Sequence, residues 1–87
     1  MSLVIVYRTA WCPYCQRAEA LLRARGVENA EIIDLDEHPQ RRREMIERAG
    51  RTSVPQIFID GEHVGGCDDL HALDREGRLA QMLAKSE

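Results

Sequence analysis

Large aromatics are scarce in this chain: one Trp, one Phe and two Tyr make up 5% of its 87 residues. Aliphatic side chains must therefore supply most of the apolar volume. Long hydrophobic runs are missing too. The longest, Leu3 to Tyr7, has five residues, whereas a bilayer-crossing helix needs about 20. Lysine is nearly absent, since eleven of the twelve basic residues are Arg. With 15 acidic residues the net charge is −3, which argues against a protein that binds nucleic acid by its phosphates. Arg grips carboxylates with a planar fork, so a small anionic ligand stays compatible. Three cysteines cannot all pair within the chain. No basic-plus-apolar leader opens it, so a cytosolic thiol protein is expected rather than a secreted disulfide scaffold. There is no repeat, low-complexity tract or long linker, and the length suits one domain, residues 1–87.

What is present alternates between short apolar runs and helical patterns. Leu3 to Tyr7 is β-branched and continuously apolar, as in a strand buried on both faces. Gln16 to Arg25 contains good helix formers, with Pro13 suited to the first turn and Gly26 to the C-terminal cap. Cys15, Ala18, Leu21 and Leu22 fall on one face of that helix. Ala30 to Leu35 reads as a second strand. Pro39 opens a second helix with the apolar stripe Met45, Ile46 and Ala49, ended by Gly50. Gln56 to Ile59 is a third strand, and Asp60-Gly61 a two-residue hairpin signal leading to a fourth near Glu62 to Val64. Gly65-Gly66 breaks it. A helix with Leu70 and Leu73 inward follows, with Asp68 or Asp69 near its start, and Arg78 to Lys85 reads as a last short helix. The order β-α-β-α-β-β-α predicts an α/β fold. Its four-stranded mixed sheet has two parallel strands, an antiparallel hairpin and helices on both faces.

Cys12 and Cys15 stand three apart where a strand gives way to a helix. At a helix start, free N–H groups and the positive end of the dipole favour a thiolate, and the thiolate is the nucleophile. Cys15, one turn in, is expected to be more buried and to resolve a mixed disulfide formed on Cys12. A zinc site needs two more ligands. No second C-x-x-C exists, and Cys67, His38, His63 and His71 fit no common spacing, so no metal is expected.

Three segments now carry a resemblance: Cys12-Pro13-Tyr14-Cys15, Ser53-Val54-Pro55 and Gly65-Gly66-Cys67-Asp68-Asp69-Leu70. In this order and at these distances they resemble the signature segments of dithiol glutaredoxins. Gly50 to Ile59 is especially similar to bacterial, glutaredoxin 3-like members. The resemblance implies a thioredoxin fold, Cys12 and Cys15 as catalytic residues, and no bound cofactor. Glutathione is implied as co-substrate, and disulfide-containing or glutathionylated proteins as partners of a monomer. It also implies a cis Pro55 beside the cysteines, with the N–H and C=O of Val54 offered to glutathione's cysteinyl residue. Gly66, Cys67 and Asp68, at a helix start, would hold its γ-glutamyl end. Tyr14 would flank the ligand, and Arg42 stands where relatives often place Gln or a basic residue near the glycyl carboxylate.

Plainer readings accompany these. Asp68 also suits a helix cap, Cys67 a small packed residue, and Arg41-Arg42-Arg43 a solvated helix face. Trp11 reads as surface cover, and His38, His63 and His71 as surface residues. Many relatives carry Lys three residues before the first cysteine, where this chain has Thr9. Arg8, one step away along a strand, points the other way. Two competing functions remain: a glutathione-independent redoxin served by a reductase, and a non-enzymatic iron–sulfur carrier. Pro13 and Cys15 argue against the second.

Overall fold

The computed structural model describes residues 3–84. Four strands form one mixed sheet: β1 (Val4–Arg8), β2 (Glu31–Asp34), β3 (Gln56–Ile59) and β4 (Glu62–Gly65). Their spatial order is β2-β1-β3-β4. β1 runs parallel to β2 and antiparallel to β3, and β3 pairs antiparallel with β4. Helices α1 (Pro13–Ala24), α2 (Arg42–Ala49), α3 (Cys67–Arg75) and α4 (Arg78–Ala84) complete the fold, with a 3-10 turn over Pro39–Arg41 ahead of α2. The mixed sheet and the element order match the sequence expectation. Lys85 of the expected last helix lies outside the described residues.

The pleat divides the core. Val4, Val6, Ile57 and Ile59 face α1, α3 and α4, where Ala18, Leu22, Leu70 and Leu79 are buried. Tyr7 and Phe58 face the other way, onto Met45 of α2, with Ile33 and Leu35 beside them. The register Val6↔Ile57 and Ile5↔Phe58 keeps each set on one face of the sheet. Leu21 and Leu73 are only partly buried, at the rim of the first cluster.

Local signals explain the joints. Asp60 (φ 52°) and Gly61 (φ 84°) both adopt the left-handed region, as a two-residue hairpin of mirror-image turn type requires. Gly50 ends α2 at φ 70°, its N–H bonded back to the Ile46 carbonyl at 2.8 Å. The strand ends β1 and β3 and the starts of α1 and α3 thereby bring three loops together.

Candidate functional site

Cys12 is the N-cap of α1, with extended backbone at φ −141° and ψ 94°. Its sulfur accepts the N–H of Cys15 at 3.1 Å, the position a capping oxygen takes in other helices. Pro13 follows at the first helical position, where no N–H partner is needed. The loop before Cys12 is tied down by the Asp36 carboxylate, which accepts the Ala10 N–H at 2.7 Å. Cys15 is fully buried beside Ala18 and Leu22, and Cys12 retains 6% exposure. The two cysteines are joined in a disulfide, Cα to Cα 5.1 Å, so the oxidised form is the one described.

Arg8 does not supply the missing basic neighbour. Lying on the α1 face of β1, its Nε sits 3.2 Å from Glu19 Oε2. Both atoms are buried and unaligned for a hydrogen bond. This ion pair commits the Arg8 charge to the middle of α1.

The second element of the site is the loop into β3. The Val54–Pro55 peptide is cis, and the Val54 carbonyl oxygen lies 3.9 Å from Cys12 Sγ. Arg42 reaches this loop from α2, its Nη1 donating to the Thr52 carbonyl at 3.2 Å.

The third is the turn from β4 into α3. Gly65 has φ +118°, and a Cβ there would collide with the Asp69 carboxylate. That carboxylate accepts the Gly66 N–H at 2.9 Å and Arg51 Nη1 at 2.8 Å. The Gly66 N–H and then Arg51 hold Asp69 below the usual carboxylate range. The capping residue is therefore Asp69, at the third helical position, and Asp68 is left exposed. Cys67 is 5% exposed, and burial pushes its thiol up. His71 Nδ1 lies 2.9 Å from the Cys67 carbonyl, which can only accept, so this nitrogen carries the proton. The Cys67 sulfur is 3.4 Å from the same nitrogen.

These three segments enclose a cavity of about 210 Å³. Tyr14, Val54, Pro55, Gly66, Cys67 and Asp68 line it, together with Ser53, Arg51 and Asp69. Among the site residues expected from the sequence, Cys12, Cys15 and Arg42 stand outside the lining. Arg51 was not singled out beforehand, and Asp69 was named only as a residue near the start of α3. Counting three residues on from Gly66 identifies Asp69 as a cap, whereas nothing local marks Arg51. Tyr14 is 56% exposed with Arg17 stacked near it, 5.9 Å from the ring centroid. Trp11 is 95% exposed at the rim of the disulfide loop.

His63 departs from the surface reading. Its Nε2 lies 2.8 Å from Gln56 Oε1, and burial first, then Arg51, holds it below the usual histidine range. Among the described residues, no group of three or more His, Cys, Asp or Glu is arranged to hold a metal ion. None of the helices there is long and apolar enough to cross a membrane.

The chain is similar to known proteins over nearly its whole length. The glutaredoxin family model matches residues 4–64. A glutaredoxin of Pseudomonas aeruginosa is 54% identical over 84 residues, covering 97% of this chain and 99% of the relative. Glutaredoxin 3 of Escherichia coli strain K12 is 53% identical over 83 residues, covering 95% and 99%. Among solved structures, the Brucella melitensis glutaredoxin superposes with a TM-score of 0.83 at 50% identity, covering 98% of this chain and 91% of the other. A buckwheat glutaredoxin in complex with glutathione superposes with a TM-score of 0.87 at 30% identity, covering 97% and 78%.

Proposed function

The chain belongs to the glutaredoxin family of thiol oxidoreductases, and from that premise we propose that it reduces protein disulfides and glutathione mixed disulfides at the expense of glutathione. One observation carries the reading. The Cys12 sulfur, at a helix N-terminus, lies 3.9 Å from the carbonyl of Val54, a residue that lines a cavity also lined by Gly66 and Asp68. A thiol tripeptide laid from Cys12 to α3 spans these groups. The buckwheat complex shows that a relative of this fold holds glutathione.

In this reading the Cys12 thiolate attacks the glutathionyl sulfur of a mixed disulfide. The Cys12–sulfur bond forms, the substrate thiolate leaves and takes up a proton. A second glutathione thiolate attacks the bound glutathionyl sulfur, releasing glutathione disulfide and regenerating Cys12. For a protein disulfide, Cys12 attacks one sulfur, and Cys15 then attacks Cys12 and frees the reduced protein. The product is the Cys12–Cys15 bond of this structure. Two glutathiones return it to the dithiol.

Binding divides along the cavity. Val54 pairs its N–H and C=O with the cysteinyl residue. The Cys67 N–H, first of α3, takes the γ-glutamyl carboxylate beside Gly66, whose own N–H is taken by Asp69, and Asp68 takes the ammonium. Arg42 uses one of its five donors on Thr52 and turns the rest to the glycyl carboxylate. Arg51 adds positive charge at the rim, and Tyr14 covers the ligand. The protein works as a cytosolic monomer, in the compartment where glutathione keeps thiols reduced.

The test is turnover of a glutathionylated peptide with glutathione, glutathione reductase and NADPH. Strict dependence on glutathione supports the reading. Equal turnover when a thioredoxin-type reductase replaces glutathione sinks it.

A further inference from the structure

Gln56 is a polar residue in a strand whose four side chains are all buried, and it is itself fully buried. A group so placed needs partners. Its Nε2 donates to the Ser53 carbonyl at 3.0 Å and lies 3.3 Å from the Ser53 hydroxyl. The amide orientation follows, because a carbonyl can only accept. Gln56 Oε1 therefore accepts, and His63 Nε2, 2.8 Å away, must carry the proton in either charge state. His63 is held in turn by its ring, which packs against Phe58 with centroids 5.0 Å apart. A side-chain chain thus runs from β4 through β3 to the loop.

That loop is gripped at successive carbonyls from different elements. Arg42 of α2 takes Thr52. Gln56 takes Ser53. The next carbonyl, that of Val54, is the one facing Cys12 Sγ. We propose that Gln56 and His63 are positioning residues, holding the Ser53 carbonyl so that the backbone of Val54 faces the glutathione cavity. The inference rests on the reading of Val54 as glutathione's pairing residue. Neither side chain lines the cavity, so both act through the loop and not on the ligand.

Three variants of the full chain test this. Gln56→Met keeps the volume of a buried site and removes both bonds. His63→Phe keeps a ring against Phe58 and removes the N–H. His63→Gln returns a donor. Each is assayed for turnover of a glutathionylated peptide, for thermal midpoint, and for the alkylation rate of reduced Cys12. Gln56→Met and His63→Phe are each expected to raise the KM for the peptide about two- to tenfold, the loss of one hydrogen bond's alignment. Their kcat falls by less, Cys12 alkylation stays at the wild-type rate, and His63→Gln recovers most of the KM. If one variant does not fold, the other decides. A wild-type KM in the folded variants overturns the proposal. So does a raised KM that His63→Gln leaves unrestored, because the loss then does not follow the hydrogen-bond donor. Wild-type protein that fails to turn over the peptide sinks the functional reading and this inference together. Wild-type protein that does so, with a KM blind to both substitutions, sinks the inference alone.

Discussion

Cys12 and Cys15 are chemically the same residue, and their neighbours make them different. Cys12 takes an N–H of its own helix and keeps an exposed edge, whereas Cys15 is sealed among Ala18 and Leu22. Cys12→Ser is therefore expected to abolish all thiol exchange. Cys15→Ser should lose most protein-disulfide reduction and keep glutathione removal from small substrates, since free glutathione completes that step. Alkylation of the reduced protein at pH 6, followed by mass spectrometry, should mark Cys12 first. Preferential marking of Cys15 would falsify this assignment. Cys67 is the contrasting case. Burial raises its thiol and so lowers its reactivity near neutral pH. Cys67→Ser should keep most of the wild-type kcat/KM. A variant as inactive as Cys12→Ser would show that Cys67 takes part in the chemistry.

At the scale of elements, the turn into α3 is the most constrained piece. Gly65 has a backbone conformation that side chains rarely adopt, and Asp69 occupies the space a Cβ would need. Gly65→Ala is expected to cost about 1–3 kcal/mol, measured by urea unfolding, and to raise the KM for glutathionylated substrate because Gly66 moves with it. An unchanged midpoint and KM would show that the turn adapts. The same turn has a pH dependence. Asp69 has a folded value below its ordinary one, set first by the Gly66 N–H. Its contribution is fully present above the ordinary carboxylate range and is lost as pH falls through the lowered value. Asp69 is partly exposed, so solvent screens its ion pair with Arg51.

At the scale of the whole molecule, α2 is fastened to the sheet from the side opposite the disulfide. The Tyr7 hydroxyl donates to Glu44 and accepts Arg48 Nη1 at 2.8 Å. Arg41 grips both Glu44 oxygens, at 3.0 and 2.9 Å. Arg41 first, then Tyr7, hold the Glu44 carboxyl below its usual range. This stabilisation is present above the ordinary carboxylate value and disappears as pH falls through the lowered one. Glu44→Gln should lower stability at pH 7 by about 1–2 kcal/mol. The gap from wild type should close in urea unfolding at acid pH, where wild-type Glu44 is protonated too. A gap of constant size from neutral to acid pH would mean the charge is not what stabilises α2. Met45, fully buried beneath the same helix, belongs to the second core. Met45→Ala should cost about 2–5 kcal/mol, and a loss under 1 kcal/mol, set against that range, would mean the helix collapses onto the gap.

Periodicity and punctuation were enough to read the strands, the helices and the hairpin from the sequence. Those signals are local: β-branched runs, Pro13 at a helix start, Gly50 after one, Asp60-Gly61 between two strands. The cysteine pair was legible for the same reason, because its chemistry comes from the helix that begins between them. The pairings of long polar side chains were not legible. Arg8 has several carboxylates within reach along the chain and meets Glu19 only because β1 lies under α1. Arg51 meets Asp69 across 18 residues. His63 reads as a surface residue until the hairpin sets it opposite Phe58, diagonal to Gln56. One local clue was present, a Gln in the buried run Gln56–Ile59, which demands a partner without naming it. Backbone conformation responds to neighbours in sequence, and so the sequence alone determined the elements and the position of the nucleophile. A hydrogen bond or ion pair between side chains acts over only a few ångströms, so its partner was decided by which elements the tertiary structure packed together.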